Sequence, residues 1–141
     1  MTDANRAKLV KLGDTDLTVA DKAEDIRGRK VLDNAGQEIG EVDALLIDDQ
    51  ESKVRFLEVA SGGFLGIGKD KVLIPVDAIA KIDGDHVHID QTREHVAGAP
   101  DYDPSLAEDV DYYGGLYGYY GYSPYWGMGY AYPAYPYYGM R

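Results

Sequence analysis

Gly63-Phe64-Leu65-Gly66-Ile67-Gly68-Lys69-Asp70-Lys71-Val72-Leu73-Ile74-Pro75-Val76 sets helix against strand for the whole chain. From Gly63 to Lys69 the glycines and the lysine fall at the spacing of a phosphate-binding loop, but the place for serine or threonine is Asp70. Such a loop needs a helix after it, because the unpaired amides and positive dipole of the helix start hold the phosphate. Here Val72-Leu73-Ile74-Pro75-Val76 follows, rich in valine and isoleucine and interrupted by proline, and it reads as strand. Asp70 also brings a negative charge where magnesium takes a neutral hydroxyl. The glycines are therefore expected to form a hairpin connection that permits positive φ and close backbone approach, not a nucleotide site. Phe64, Leu65 and Ile67 are bulky and apolar within it. They either seal the open end of a barrel or form an exposed contact for a partner.

On both sides of this loop the chain reads as short strands punctuated by turns. Residues 29–32 lead to the turn Asp33-Asn34-Ala35-Gly36, and residues 39–47 form a longer strand with turn chemistry at 48–52. Val54, Phe56, Leu57 and Val59 make the next strand, with Arg55 and Glu58 expected to point outward. Residues 72–76, 78–82 and 86–90 follow, the last two joined by a tight turn at Gly84-Asp85, and residues 92–96 read as a helical turn. Strands this short and this close imply antiparallel hairpins. So small a sheet is expected to curl into a barrel, which also hides its edges. The inward set is Val31, Ile39, Val42, Leu45, Ile47, Phe56, Val59, Leu73, Val76, Ile79, Ile82, Val87 and Ile89.

The order of these signals resembles the PRC-barrel family, named after the cytoplasmic domain of a photosynthetic reaction-centre subunit and shared with a ribosome-maturation factor. The resemblance rests on Asp25-Ile26-Arg27-Gly28-Arg29-Lys30-Val31 and Gly36-Gln37-Glu38-Ile39-Gly40-Glu41-Val42. It continues through Leu46-Ile47-Asp48 and Val54-Arg55-Phe56-Leu57-Glu58-Val59 to the glycine loop and Leu73-Ile74-Pro75-Val76-Asp77-Ala78. It spans residues 26–90 and is closest to small stand-alone bacterial members, which the flanking segments 14–21 and 98–102 also suggest. What it implies is a compact antiparallel β-barrel used as an interaction module, with no catalytic residues to carry over. The expected organisation is an N-terminal strap at 1–27, an all-β PRC-type barrel at 28–100, and an acidic linker with a low-complexity tail at 101–141.

The chain has 141 residues, a formal charge of −11 and no cysteine. That charge argues against a sequence-independent grip on nucleic acid and against adhesion to an anionic membrane. Without cysteine there is neither a disulfide framework nor a thiolate metal site. The first residues lack a signal peptide's apolar core, and no apolar run reaches the length of a membrane helix, so a cytoplasmic location is expected.

Candidate sites of other kinds are weak. His86, His88 and Asp90 share one face of a strand, the arrangement a metal would need, yet Val87 and Ile89 then face the core and the trio reads as the wet side. Counted from Asp48, a calcium loop would need glycine where Lys53 stands and glutamate where Val59 stands. No serine sits in a nucleophile-elbow pattern. No enzymatic activity, cofactor or metal is expected.

Between Tyr112 and Arg141 tyrosine and glycine dominate, with Trp126, three prolines and neither acidic residue nor lysine. Tyr132, Tyr135 and Tyr138 recur every third residue and would form one edge of a polyproline II helix. Tyr117, Tyr119, Tyr120, Tyr122, Tyr125, Trp126, Tyr130 and Tyr137 add further rings. Tyrosine gives large contact area at low entropic cost. The tail is either a disordered appendage or a docking segment; fully extended it would reach about 100 Å. The function expected is that of a non-enzymatic assembly protein, self-associating or binding another protein through the tail, with head-to-tail oligomers or filaments as the form. A cytoplasmic adaptor in ribosome maturation or another complex is the first alternative. Peripheral association with the cell envelope is the second, because tyrosine and tryptophan favour membrane interfaces.

Overall fold

The computed structural model describes residues 9–11, 26–48, 54–61, 71–100, 102, 110–124 and 126. Among these are seven strands: β1 (Leu9–Lys11), β2 (Lys30–Leu32), β3 (Glu38–Asp48), β4 (Val54–Ala60), β5 (Lys71–Pro75), β6 (Ile79–Ile82) and β7 (His86–Ile89). A 3-10 turn, Val76–Ala78, joins β5 to β6, and two helices follow, α1 (Arg93–Ala97) and α2 (Val110–Tyr120). The residues after the glycine loop thus form strand β5, as their β-branched run predicts. The glycine loop itself, residues 62–70, lies outside the described residues, and so does the strap at 1–27 apart from residues 9–11 and 26–27.

The strands lie in the order β5-β4-β3-β2-β7-β6, with β1 beside β3. The long strand β3 hosts two partners along one edge: β2 pairs with its first half and β1 with Leu46, Ile47 and Asp48. The sheet is mixed where an antiparallel one is expected, because β2 and β7 run parallel, Val31 opposite Val87. The reason lies in the 3-10 turn. It steps the chain sideways without reversing it, so β5 and β6 run in the same sense and β7, reversing after β6, arrives parallel to β2. Nor does the ladder close into a barrel among the described residues, since β5 and β6 stand at the two ends of its path.

One face of the sheet encloses the main core, with Val31, Ile39, Val42, Leu45, Ile47, Leu57, Val59, Ile74, Val87 and Ile89 all buried. Ile79 and Ile82 pack against it half-buried. Phe56 and Leu73, expected inward, are buried in a second cluster with Leu9 and Leu46. A bulge accounts for Phe56. Leu46 stands opposite Phe56 and Ile47 opposite Val54, which leaves Arg55 as the extra residue and places Val54 and Phe56 on different faces. Leu73 follows by pairing, since it stands opposite Glu58, one residue out of phase with Val72 and Ile74.

Arg55 and Glu58 do not face solvent; both are fully buried. The second face of the sheet is covered as well as the first. Turn chemistry otherwise follows the sequence. Asp33 Oδ1 accepts from the amides of Ala35 and Gln37, its Oδ2 accepts from Arg93 N–H, and Gly36 takes φ 84°. The expected helical turn is α1, capped by the Thr92 hydroxyl, which accepts from His95 N–H at 3.0 Å. Gly40 marks a close approach: a Cβ there would strike the Ala60 carbonyl and come within 3.0 Å of Ser61 Cα.

Candidate interaction surface

The second face is covered by α2, which lies inside the stretch that reads as low-complexity tail. Its buried residues are Tyr113, Leu116, Tyr117 and Tyr120, spaced i, i+3, i+4, i+7, one stripe of a helix. Gly114, Gly115 and Gly118 lie within the same helix, and each disfavours it by about 1 kcal/mol relative to alanine. A helix of this length and composition owes its stability to docking rather than propensity.

The C-terminus of α2 is firmly fastened. Gly121 adopts φ 89°, Tyr122 N–H donates to the Tyr117 carbonyl at 2.9 Å, and Gly121 N–H donates to the Gly118 carbonyl at 3.1 Å. This is the Schellman arrangement, with Tyr122 and Tyr117 supplying its apolar contact. Side chains from α1 and the residues before it complete the capping. His95 Nε2 donates to the Tyr119 carbonyl at 2.9 Å and Gln91 Nε2 to the Tyr120 carbonyl at 3.3 Å. In return the Tyr119 hydroxyl donates to the His95 carbonyl at 2.6 Å, and the two rings stack at 4.2 Å and 8°. The Tyr122 hydroxyl donates to Asp90 Oδ2. Burial, and then this acceptor, push the Tyr122 hydroxyl well above the usual tyrosine value.

Beneath the helix the contact is aromatic. Phe56 meets Tyr117 at 4.9 Å between ring centroids and Tyr113 at 5.6 Å, and the Trp126 ring stands nearly perpendicular to Tyr117 at 5.9 Å. Leu9, Leu46 and Leu73 floor the seat. Tyr120 reaches past it into the main core, where its hydroxyl has no hydrogen-bond partner among the described residues and burial raises its pKa.

Two charged groups border the seat. Arg55 Nε donates to Asp48 Oδ2 at 2.8 Å, a fully buried pair. The buried Glu58 carboxylate lies 3.0 Å from Lys71 Nζ and 3.4 Å from Lys11 Nζ, and Lys71 also donates to Asp43 at 3.0 Å. The Lys71 hydrogen bond holds Asp43 below the usual carboxylate range, and Asp43 with Glu58 lifts Lys71 above the usual lysine range. Tyr102, half-buried against the second cluster, is pushed up to about 12, first by burial and then by the Glu58 charge. The network ties β1, β3, β4 and β5 to the segment leading into α2.

Of the expected contact residues, Tyr117 and Tyr120 are buried under α2, while Tyr119, Tyr122 and Trp126 are half-buried. Phe64, Leu65, Ile67, Tyr125, Tyr130, Tyr132, Tyr135, Tyr137 and Tyr138 lie outside the described residues. Tyr113 and Leu116, central to the seat, do not stand out in a stretch read for composition; their helical spacing and the glycine stop at 121 are the signals that mark them. The two strand histidines turn to Asp83 rather than Asp90: His88 Nε2 lies 3.0 Å and His86 Nδ1 3.3 Å from its carboxylate. Asp90 instead takes Tyr122. No cluster of three or more His, Cys, Asp or Glu arranged to hold a metal is present among the described residues. Among them, too, no helix is long and apolar enough to cross a membrane.

A search of the curated proteins finds no match to the chain. The family model of the PRC-barrel domain matches residues 19–96, which takes in every strand from β2 to β7 and most of α1. That match covers more than half of the chain, so the chain belongs to the PRC-barrel family.

Proposed function

We propose that this protein is a non-enzymatic assembly module, in which a PRC-type sheet is the folded node and the aromatic C-terminal segment is the docking element. Family membership supports the coarser part, an interaction or assembly role. The observation that carries the finer part is α2. It is a tyrosine- and glycine-rich helix seated on the sheet's second face through Tyr113, Leu116 and Tyr117. The sequence of residues 127–141 continues the same chemistry, with Tyr130, Tyr132, Tyr135, Tyr137 and Tyr138 and a single charge at Arg141. With the proximal tyrosines occupied on their own sheet, these distal ones engage a second copy. A contact from one copy's tail to the next copy's body repeats without closing and builds head-to-tail oligomers.

The test is a chain ended after Trp126, which keeps α2 and its seat. Light scattering is expected to show higher oligomers for the full chain and their loss on truncation. Equal mass distributions for the two chains would refute the assignment.

A further inference from the structure

We propose that Lys71 and Asp43 join through a side-chain amide, an internal cross-link that ties β5 to β3 across β4, with Glu58 carrying the proton. The three side chains come from neighbouring strands in the order β3, β4, β5. Val42 stands opposite Val59 and Ala44 opposite Glu58, so Asp43 is the extra residue of a bulge. A bulge re-aims the side chain it frees. Asp43 reaches over β4 to Lys71, which lies opposite Ala60 at the start of β5. Lys71 Nζ stands 3.0 Å from Asp43 Oδ2 and 3.0 Å from Glu58 Oε2, so one amine touches both carboxyls.

Ion pairing is a weak reason for this arrangement. Lys71 and Asp43 are 42% and 48% exposed, and a pair so exposed adds little to stability. Glu58 is fully buried beside them, and burying a further carboxylate is costly. A carboxylate held against an amine and an acid is, however, what proton transfer between those two requires.

The chemistry balances within the site. Glu58 takes a proton from the Lys71 ammonium and passes it to the Asp43 carboxylate, which leaves a free amine beside a protonated acid. The amine lone pair attacks Asp43 Cγ and a C–N bond forms. The Asp43 C–O bond then breaks, and the hydroxyl leaves as water with a second proton from the nitrogen. Nothing is oxidised or reduced, and no proton comes from solvent. The fold replaces a chance encounter by a held contact. Asp43 and then Glu58 favour the ammonium form of Lys71, so the amine is seldom free and the bond accumulates slowly after folding. The cross-link concerns the sheet alone and stands whether or not the C-terminal segment assembles copies.

The test is the intact mass of the full chain, purified and kept folded for several days, followed by peptide mapping. The chain is expected to be one water lighter than its sequence, with the loss in a branched peptide that joins Asp43 to Lys71. Lys71→Arg keeps the charge but cannot form the amide, so it should hold its full mass. Glu58→Gln, shown to be folded by circular dichroism, should link about a hundredfold more slowly. A parent chain that stays at full mass overturns the proposal, with no variant needed. So does a lost water that maps elsewhere, such as an imide at Asp83-Gly84, or one that persists in Lys71→Arg. A folded Glu58→Gln chain that links at the parent rate would overturn the role given to Glu58.

Discussion

Two substitutions on α2 should move stability in opposite directions. Leu116 is fully buried between the helix and the sheet. Replacing it with alanine removes a packed side chain over Phe56 and Leu73, a change that costs about 2–5 kcal/mol in well-packed cores. Gly118 lies two residues further on and faces the other way; a Cβ there meets nothing within 4 Å. Its φ is not in the left-handed region, so Gly118→Ala should gain the ordinary helix-propensity difference of about 1 kcal/mol. For a domain of this size each kcal/mol shifts the melting temperature by about 4–8 °C. Leu116→Ala should therefore lower it by about 10 °C or more, and Gly118→Ala should raise it by about 5 °C.

Urea unfolding followed by tryptophan emission is the assay, because Trp126 is the sole tryptophan and stands against Tyr117. Far-UV circular dichroism checks that the same transition carries the sheet. If α2 were not helical and seated, Leu116→Ala would be nearly silent and Gly118→Ala would have no helix to favour. Two null results would refute the docking argument. A destabilising Gly118→Ala alone would refute its helical, outward placement.

Asp48→Ala should cost about 3–5 kcal/mol in denaturant titration, because it removes the carboxylate paired with the buried Arg55 guanidinium, and the double variant Asp48→Leu, Arg55→Met should recover most of that loss. In alkali, Tyr102, Tyr120 and Tyr122 have folded-state pKa values raised above the ordinary value near 10, so the folded chain keeps protons that the unfolded chain releases. Their contribution is full below about pH 10 and falls as the pH climbs toward 12; late tyrosinate absorbance should appear in step with unfolding. Assembly through residues 127–141, which carry a single charge on a chain of charge −11, should strengthen with added salt, which screens repulsion between copies; sedimentation that shows weakening instead would point to an ionic contact.

The strands and turns were legible because their signals are local. Asp33 with Gly36 and Asp83 before Gly84 make turns by bonding their own neighbours' amides, which any sequence reading can anticipate. Facing was harder, and Arg55 shows why. Alternation tells which residues share a face only while the register is unbroken, and the bulge at Arg55 moves Phe56 to the opposite side from Val54. The sense of β7 depends on a 3-10 turn that reads like any short connection. The burial of Arg55 and Glu58 turns on groups beyond β4, Asp48 for the first and Lys11, Lys71 and Tyr102 for the second, and the cover over the second face is α2, whose composition hides its helical stripe.

That last point bears on function more than on folding. A small sheet with one apolar face needs one cover, and a curled sheet provides its own. This sheet carries Leu9, Leu46, Phe56 and Leu73 on its second face, together with a buried ion pair and a buried glutamate, so a second cover is part of the design. The chain meets that need with tyrosines and glycines rather than with leucines and alanines, which would make a stronger helix. A cover chosen for permanence would use the stronger helix. Tyrosine instead packs broadly, keeps a hydroxyl for caps such as Tyr119 on His95, and tolerates leaving the surface without forming a greasy exposed stripe. The composition of α2 thus favours the assembly role proposed above, and the tyrosines that recur at intervals through residues 122–138 carry the same composition onward in sequence.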